Sequence, residues 1–359
     1  MNFKSFSISI FWAEKGFFST INTHYFEKIS YIEFESRIGG NMQIVSEIWN
    51  HLTSFFGTLV LIAGIIGLIV GWIERVYLRS GERTTKTATE TKTAKETRTM
   101  GEVQKRRLAI ITGASSGLGM AYAKEIDKDP EKFEVDEIWL VARRKDRLED
   151  LASELHLPVQ IIPLDLTRSE SIEVLKNKLL KGEVDSVSLL LNCAGFGAFG
   201  SSEKVGYQKE GKMIDLNDRA AAQLTNIVIP YLHPGARIGE VCSVAGLQPI
   251  PFFNAYAASK AFLYSYSRAL RVELLRKKVS VTAICPYWVR DTGFIGTAMD
   301  EKSHHLLFTS TTKQVVSRSL SSIYRRHAMS TPGFIPTLDR IFCGLIPDNL
   351  LPYIMTRFL

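Results

Sequence analysis

Leu108–Gly119 reads LAIITGASSGLG, five apolar-to-Thr residues running straight into a glycine-rich turn and then a helical pattern. A short apolar run of this kind, bounded by turn signals, is expected to be a buried strand. Glycines at 113, 117 and 119 permit a tight turn and let backbone N–H groups approach a pyrophosphate, which a helix N-terminus attracts. A plain strand-to-helix connection would use the same glycines, so the turn alone decides nothing about ligand. Outward from it, apolar runs recur: EIWLVA at 137–142, VQIIPL at 159–164, VSLLLN at 187–192, IGEVCS at 238–243 and VSVTAIC at 279–285. Amphipathic stretches, such as 144–155 and 169–181, lie between most of them. Strands alternating with helices imply an α/β fold in which crossovers carry a parallel sheet covered on both faces, the doubly wound arrangement.

Arg143 and Arg144 follow the second strand, where a dinucleotide site meets the adenosine ribose. An acid there would accept from a free 2′-hydroxyl, as NAD(H) requires. An Arg can instead pair with a 2′-phosphate, which favours NADP(H), or can be no more than the basic start of a surface helix. Asp165 ends the third strand, placed either to bond an adenine amino group or to cap the following turn. Ser243 closes the strand IGEVCS, Tyr256 lies thirteen residues on, and Lys260 is one helical turn beyond Tyr256. Residues i and i+4 share a helix face, so the ammonium is expected beside the phenol. A tyrosine near its ordinary value of about 10 is a poor acid-base group at neutrality, and an adjacent cation lowers that value.

TGASSGLG at 112–119, Asp165, Asn192-Cys193-Ala194-Gly195, Asn217, Ser243 and Tyr256-Ala-Ala-Ser-Lys260 together resemble the short-chain dehydrogenase/reductase family, in order and spacing, over about residues 105–300. The resemblance implies a Rossmann-type domain with about seven parallel strands and a nicotinamide cofactor. It implies Tyr256 as general acid/base, Ser243 bonded to the substrate carbonyl, Lys260 on the nicotinamide ribose and Asn217 supporting a proton relay. It also puts Gly113, Ser115, Ser116, Gly117, Leu118, Gly119, Arg143, Asp165, Leu166, Asn192, Ala194, Gly195, Pro286 and Val289 around the cofactor, beside Tyr256 and Lys260. The family's Pro-Gly motif departs here, reading Pro286-Tyr287-Trp288-Val289-Arg290-Asp291-Thr292, with Tyr287 in place of the glycine and Thr292 one place late. Tyr287 and Trp288 either wall the substrate mouth or pack under the loop.

The chain has 359 residues and a formal charge of +7, with 45% hydrophobic content. That composition excludes a disordered or collagenous chain. Four cysteines without CxxC or metal spacing exclude a disulfide scaffold and give no metal site. The basic excess is concentrated in residues 74–107, with ten Lys/Arg against five Glu, and no basic-aromatic groove accompanies it, so nucleic acid is not an expected partner. Residues 48–73 carry no charge, and Phe55–Ile73 reads FFGTLVLIAGIIGLIVGWI. Twelve of these nineteen residues are Phe, Leu, Ile or Val, a sum on the order of −4 to −7 kcal/mol for insertion.

We expect a single transmembrane helix over 51–73, after an N-terminal segment 1–50 of unassigned fold. A Thr/Lys/Glu-rich linker over 74–104 follows it, then the catalytic domain over 105–315 and an apolar extension over 316–359. The arginines after the span put the catalytic domain on the cytoplasmic side. Met42 and Met100 could serve as alternative starts, and the second would remove the span. Ala63, Gly67 and Gly71 form a small-residue face that could pair two helices into a homodimer.

Apolar residues at 294–308 and in the tail give a cover for a hydrophobic substrate, a contact with membrane lipid, or simply a C-terminal helix packed on the domain. With the anchor, they resemble the membrane-associated members that reduce long-chain 3-oxoacyl thioesters or steroid ketones. The expected activity is therefore NADP(H)-dependent interconversion of a hydrophobic ketone and its secondary alcohol. The competing expectation is a non-catalytic NADP(H) sensor or scaffold on the same fold, which would have no need of Ser243, Tyr256 and Lys260 together.

Overall fold

The computed structural model describes residues 8–11, 18–21, 54, 106–181, 184–298, 309–333, 337 and 350–355. The chain divides into two units, Met1–Tyr77 and Leu78–Leu359. In the first, Ile8–Phe11 and Phe18–Ile21 form an antiparallel pair. Among the described residues no helix is long and apolar enough to cross a membrane; the span expected over 51–73 lies, apart from Ser54, outside them.

The second unit is built on seven parallel strands: β1 (Arg106–Thr112), β2 (Glu137–Ala142), β3 (Val159–Pro163), β4 (Val184–Asn192), β5 (Leu232–Val241), β6 (Ser280–Ile284) and β7 (Met329–Ser330). Their order across the sheet is β3-β2-β1-β4-β5-β6-β7. The order reverses between β1 and β4, and the crevice outside the strand ends at such a switch is where an open α/β sheet binds ligands.

Alternation along each strand feeds two cores. On one face, Leu108, Ile110, Trp139, Leu190 and Ile238 pack with Leu175, Leu224 and Leu270. These come from α3 (Glu170–Lys181), α5 (Ala221–Val228) and α6 (Asn254–Glu273). On the other, Ala109, Ile111, Leu140, Leu189 and Leu191 meet Tyr122, Leu148 and Leu320. Those belong to α1 (Gly117–Lys128), α2 (Lys145–Ser153) and α7 (Thr312–Tyr324). Burial on both faces explains why the strands read as continuous apolar runs. The remaining long helix, α4 (Tyr207–Ile214), joins α5 through a π-helical turn at Asp215–Ala220.

Two boundaries differ from expectation. The domain limit expected at 315 falls inside α7, whose start is fixed by a capping box between Thr311 and Gln314. Residues through Ser330 then complete the sheet. The fifth strand ends at Val241, two residues before Ser243, because Ser243 instead caps a 3-10 turn, Val244–Leu247, accepting from the Ala245 N–H at 3.1 Å.

Candidate active site

A cleft of about 580 Å³ opens at the carboxyl ends of the strands, within the usual range for a small-molecule site. Of the residues expected around a cofactor, Gly113, Ser115, Ser116, Gly117, Leu118, Gly119, Arg143, Asp165, Leu166, Ala194, Gly195, Pro286 and Val289 line it, with Ser243, Tyr256 and Lys260. Its floor at the glycine turn is tightly built. Gly113 has φ +66°, and a Cβ there would lie 2.9 Å from the Ala194 nitrogen; at Gly119 a Cβ would lie 2.5 Å from the Gly113 oxygen. Thr112 holds the facing strand, its hydroxyl accepting from the N–H groups of Cys193 and Ala194, each at 3.0 Å.

At one end three guanidinium side chains, Arg143, Arg144 and Arg147, line the cleft. Arg143 is exposed. Arg144 reaches into the turn, donating to Ser115 Oγ at 2.9 Å and Ser116 Oγ at 2.8 Å. Burial lowers the Arg144 pKa, and repulsion from Arg147 and Arg143 adds to the effect. Spacing at the strand end pointed to Arg143; Arg147, one turn later on α2, was missed. Asp165 turns back on its own chain, accepting from the Thr167 N–H at 3.0 Å and the Thr167 hydroxyl at 2.8 Å. Those hydrogen bonds hold its pKa low against the opposing effect of burial. It caps the turn and lines the cleft at once.

At the other end the Ser243 and Tyr256 side chains share a hydrogen bond. Lys260 Nζ lies 5.8 Å from the Tyr256 ring centroid and donates to the Val241 carbonyl at 2.8 Å. The expected juxtaposition is present, but its electrostatics differ from the simple cation argument. Burial raises the Tyr256 pKa above its ordinary value, outweighing the Ser243 hydrogen bond that lowers it. Burial likewise lowers Lys260. Desolvation is the larger influence on both groups.

Asn192 and Asn217 do not line the cleft; both are buried behind it. Asn217 sits in the π-helical turn, a distortion frequent at functional sites. It accepts from the Phe196 N–H at 3.1 Å and donates to the Phe196 carbonyl and to Ser259 Oγ, each at 3.0 Å. Asn192, expected against the cofactor, instead donates to Thr225 Oγ at 2.8 Å and Glu240 Oε1 at 2.9 Å. As the last residue of β4 it directs its amide toward α5, under the sheet's end.

Above Tyr256 the wall is aromatic. Phe253 stacks on Tyr256 at 4.4 Å and on Trp288 at 5.9 Å, while Phe294 lies 5.4 Å from Tyr256. Trp288 is thus part of the wall, whereas Tyr287 also packs beneath it against the core around Cys242 and Leu263. Met355, from the short C-terminal helix Leu351–Met355, lines the same cleft. Phe253 and Met355 had no sequence signal beyond being apolar near the site.

The family model for short chain dehydrogenase matches residues 107–303. Mouse 17-beta-hydroxysteroid dehydrogenase type 3 is 26% identical over 257 residues, covering 69% of this chain and 75% of that protein. The very-long-chain 3-oxoacyl-CoA reductase of Anas platyrhynchos is 29% identical over 191 residues, covering 50% and 59%. Among solved structures, a short-chain dehydrogenase from Sphingobium yanoikuyae in complex with NADPH superposes with a TM-score of 0.57 at 28% identity, covering 67% of this chain and 94% of that one. With the family model spanning more than half the chain and the fold agreeing, the protein belongs to the short-chain dehydrogenase family and is an oxidoreductase.

Proposed function

We propose that this enzyme uses NADP(H) to interconvert a hydrophobic ketone and its secondary alcohol. The observation carrying the proposal is the juxtaposition of the Ser243–Tyr256–Lys260 group with an aromatic wall of Phe253, Trp288 and Phe294. The cleft fits an extended dinucleotide, with guanidinium groups at one end, a glycine turn at its middle and the tyrosine at the other. The NADPH complex of the Sphingobium relative supports a nicotinamide cofactor. The clustered arginines favour a 2′-phosphate over a bare ribose, as charge-assisted pairing would.

A bound nicotinamide would supply the hydride, and the protein's work is then orientation and the handling of one proton. Ser243 Oγ and Tyr256 Oη are adjacent donors for a substrate carbonyl oxygen, polarising it as negative charge develops there. Tyr256 gives its proton to that oxygen in reduction and takes it back in oxidation. A phenol with a raised pKa holds its proton until the carbonyl oxygen becomes the stronger base. Lys260, buried beside it, stabilises the phenolate left behind. Asn217 clamps the Phe196 segment and, through Ser259, the start of α6, which carries Tyr256 and Lys260.

The relatives acting on 3-oxoacyl-CoA and hydroxysteroids support the substrate class, as does the apolar lining to which Met355 contributes. In our reading residues 51–73 anchor the enzyme in a membrane with its catalytic domain on the cytoplasmic side, residues 74–104 tether it, and the substrate arrives from lipid, with pairing through the small-residue face giving a homodimer. The test is NADPH oxidation by the full-length protein in lipid against 3-oxoacyl thioesters and steroid ketones. Turnover abolished by Tyr256→Phe is the expected result. Silence across the panel with NADPH bound would favour the sensor.

A further inference from the structure

Glu240 is fully buried in β5, directly opposite Asn192 of β4 in the strand register. Its Oε1 accepts from Asn192 Nδ2 and from Thr225 Oγ, each at 2.9 Å. Two buried oxygens in this cluster lack partners: Glu240 Oε2 and Asn192 Oδ1. Buried polar atoms are rarely left so, and a carboxylate has only acceptors to offer. A proton on Oε2 converts it into a donor. The two orphaned atoms are the complementary pair that would then close an acid–amide ring with the Asn192–Glu240 hydrogen bond already present.

The cluster also adjoins the catalytic lysine. Lys260 Nζ is bonded to the carbonyl of Val241, the residue after Glu240. On the β4 side, a Cβ at Gly195 would lie 3.3 Å from Nζ, so the segments that follow both partners converge on it. Five titratable groups face this region: Lys260 and Tyr266 from α6, Cys193 after β4, Cys242 after β5, and Asp218 from the π-helical turn. Lys260 is the only cation among them. Asp218 has its own buried, unpartnered Oδ1.

We propose that Glu240 is a positioning residue that carries a proton against Asn192 and, on releasing it, holds the neighbouring Lys260 in its charged form. The proposal rests on the Tyr256–Lys260 reading above and adds to it a residue outside the cleft. The electrostatics agree in direction. Burial pushes Glu240 up to about 7, with the Asn192 and Thr225 hydrogen bonds and Lys260 opposing it. Burial lowers Lys260, and Cys242, Asp218 and Glu240, in that order, raise it back. As pH rises through neutrality, Glu240 gains its negative charge, and the lysine keeps its ammonium to higher pH than burial alone would allow.

Glu240→Gln separates charge from shape, since a glutamine oxygen still accepts from Asn192 and Thr225. In full-length enzyme with NADPH and a ketone that the wild type reduces, the alkaline limb of kcat/KM for Glu240→Gln is expected to move down by about one pH unit. That is roughly a tenfold loss at a fixed pH on that limb. Thr225→Val perturbs the same cluster without removing a charge and should leave the limb in place. A second readout needs no turnover: difference infrared spectra of the protein alone should show a protonated carboxyl that ionises near neutrality, reduced by one group in Glu240→Gln. Coincident alkaline limbs, or a wild type without such a carboxyl, would overturn the proposal. Lys260→Ala with wild-type activity would overturn the reading on which it rests, so the two failures are distinguishable.

Discussion

In the proposed mechanism, removing the Tyr256 hydroxyl takes away the group that exchanges a proton with the substrate oxygen. Tyr256→Phe should therefore lower kcat by about 10²–10⁴-fold, the usual worth of a positioned acid-base group, while titration calorimetry finds NADPH affinity little changed. Arg144 makes the opposite kind of contribution. It is already held in place by Ser115 and Ser116, so its charge costs little to orient toward a phosphate. Arg144→Ala should weaken NADPH binding by roughly 1.5–3 kcal/mol and NADH binding much less. Equal losses for the two cofactors would mean that the arginine only shapes the turn. These residues also mark where sequence stops being informative. Tyr256, Lys260 and the glycine turn are legible because their chemistry depends on local spacing. Glu240 is not, because its burial and partners come from Asn192 and Thr225, which the fold alone brings to it.

Among the elements, the βα turn is the most constrained. A methyl group on Gly119 would meet the backbone oxygen of Gly113 at 2.5 Å, and backbone cannot swing aside as a flexible side chain can. Gly119→Ala should cost about 1–3 kcal/mol of stability and loosen cofactor binding with it, both readable by thermal denaturation with and without NADPH. Six strands were apparent as apolar runs because burial on both faces leaves few polar positions within them, Glu240 among the exceptions. The seventh was not, since Met329–Ser330 is too short to carry any period. The π-helical turn at Asp215–Ala220 was hidden too. Nothing in DLNDRA announces an extra residue in a helix, and the stabilising contacts run from Asn217 to Phe196 and Ser259. The loop after β6 was ambiguous for a similar reason, two adjacent aromatics whose directions only packing could assign.

For the molecule as a whole, acid sensitivity should come from carboxylates tying separate elements together. Asp127 on α1 accepts from the N–H groups of His156 and Leu157, at 2.9 and 2.8 Å, ahead of β3. Burial works to raise its pKa, but those hydrogen bonds outweigh it and the net shift is downward. Asp136 is held low chiefly by its hydrogen bonds from Arg107 at the start of β1. A depressed folded-state value stabilises above the unfolded carboxylate pKa, and the benefit disappears as pH falls through the folded value. Urea denaturation at successive pH values should accordingly show stability falling below about pH 4. Asp127→Asn should flatten that slope and cost about 1–3 kcal/mol at neutral pH.

The position of α7 and β7 has a bearing on how this chain is made. Ser243, Tyr256 and Lys260 leave the ribosome before α7 does, yet α7 supplies Val316, Leu320 and Ile323 to the core beside α1. Until those residues emerge, the part of that face that α7 covers is open, and translation completes the proposed catalytic residues before it completes the fold. Nascent chains arrested after Thr311 should therefore be cut rapidly by added protease, whereas chains extended well past Ser330 should resist it. A mutation or pause late in the message would then cost the cell a protein whose catalytic residues were all correctly in place.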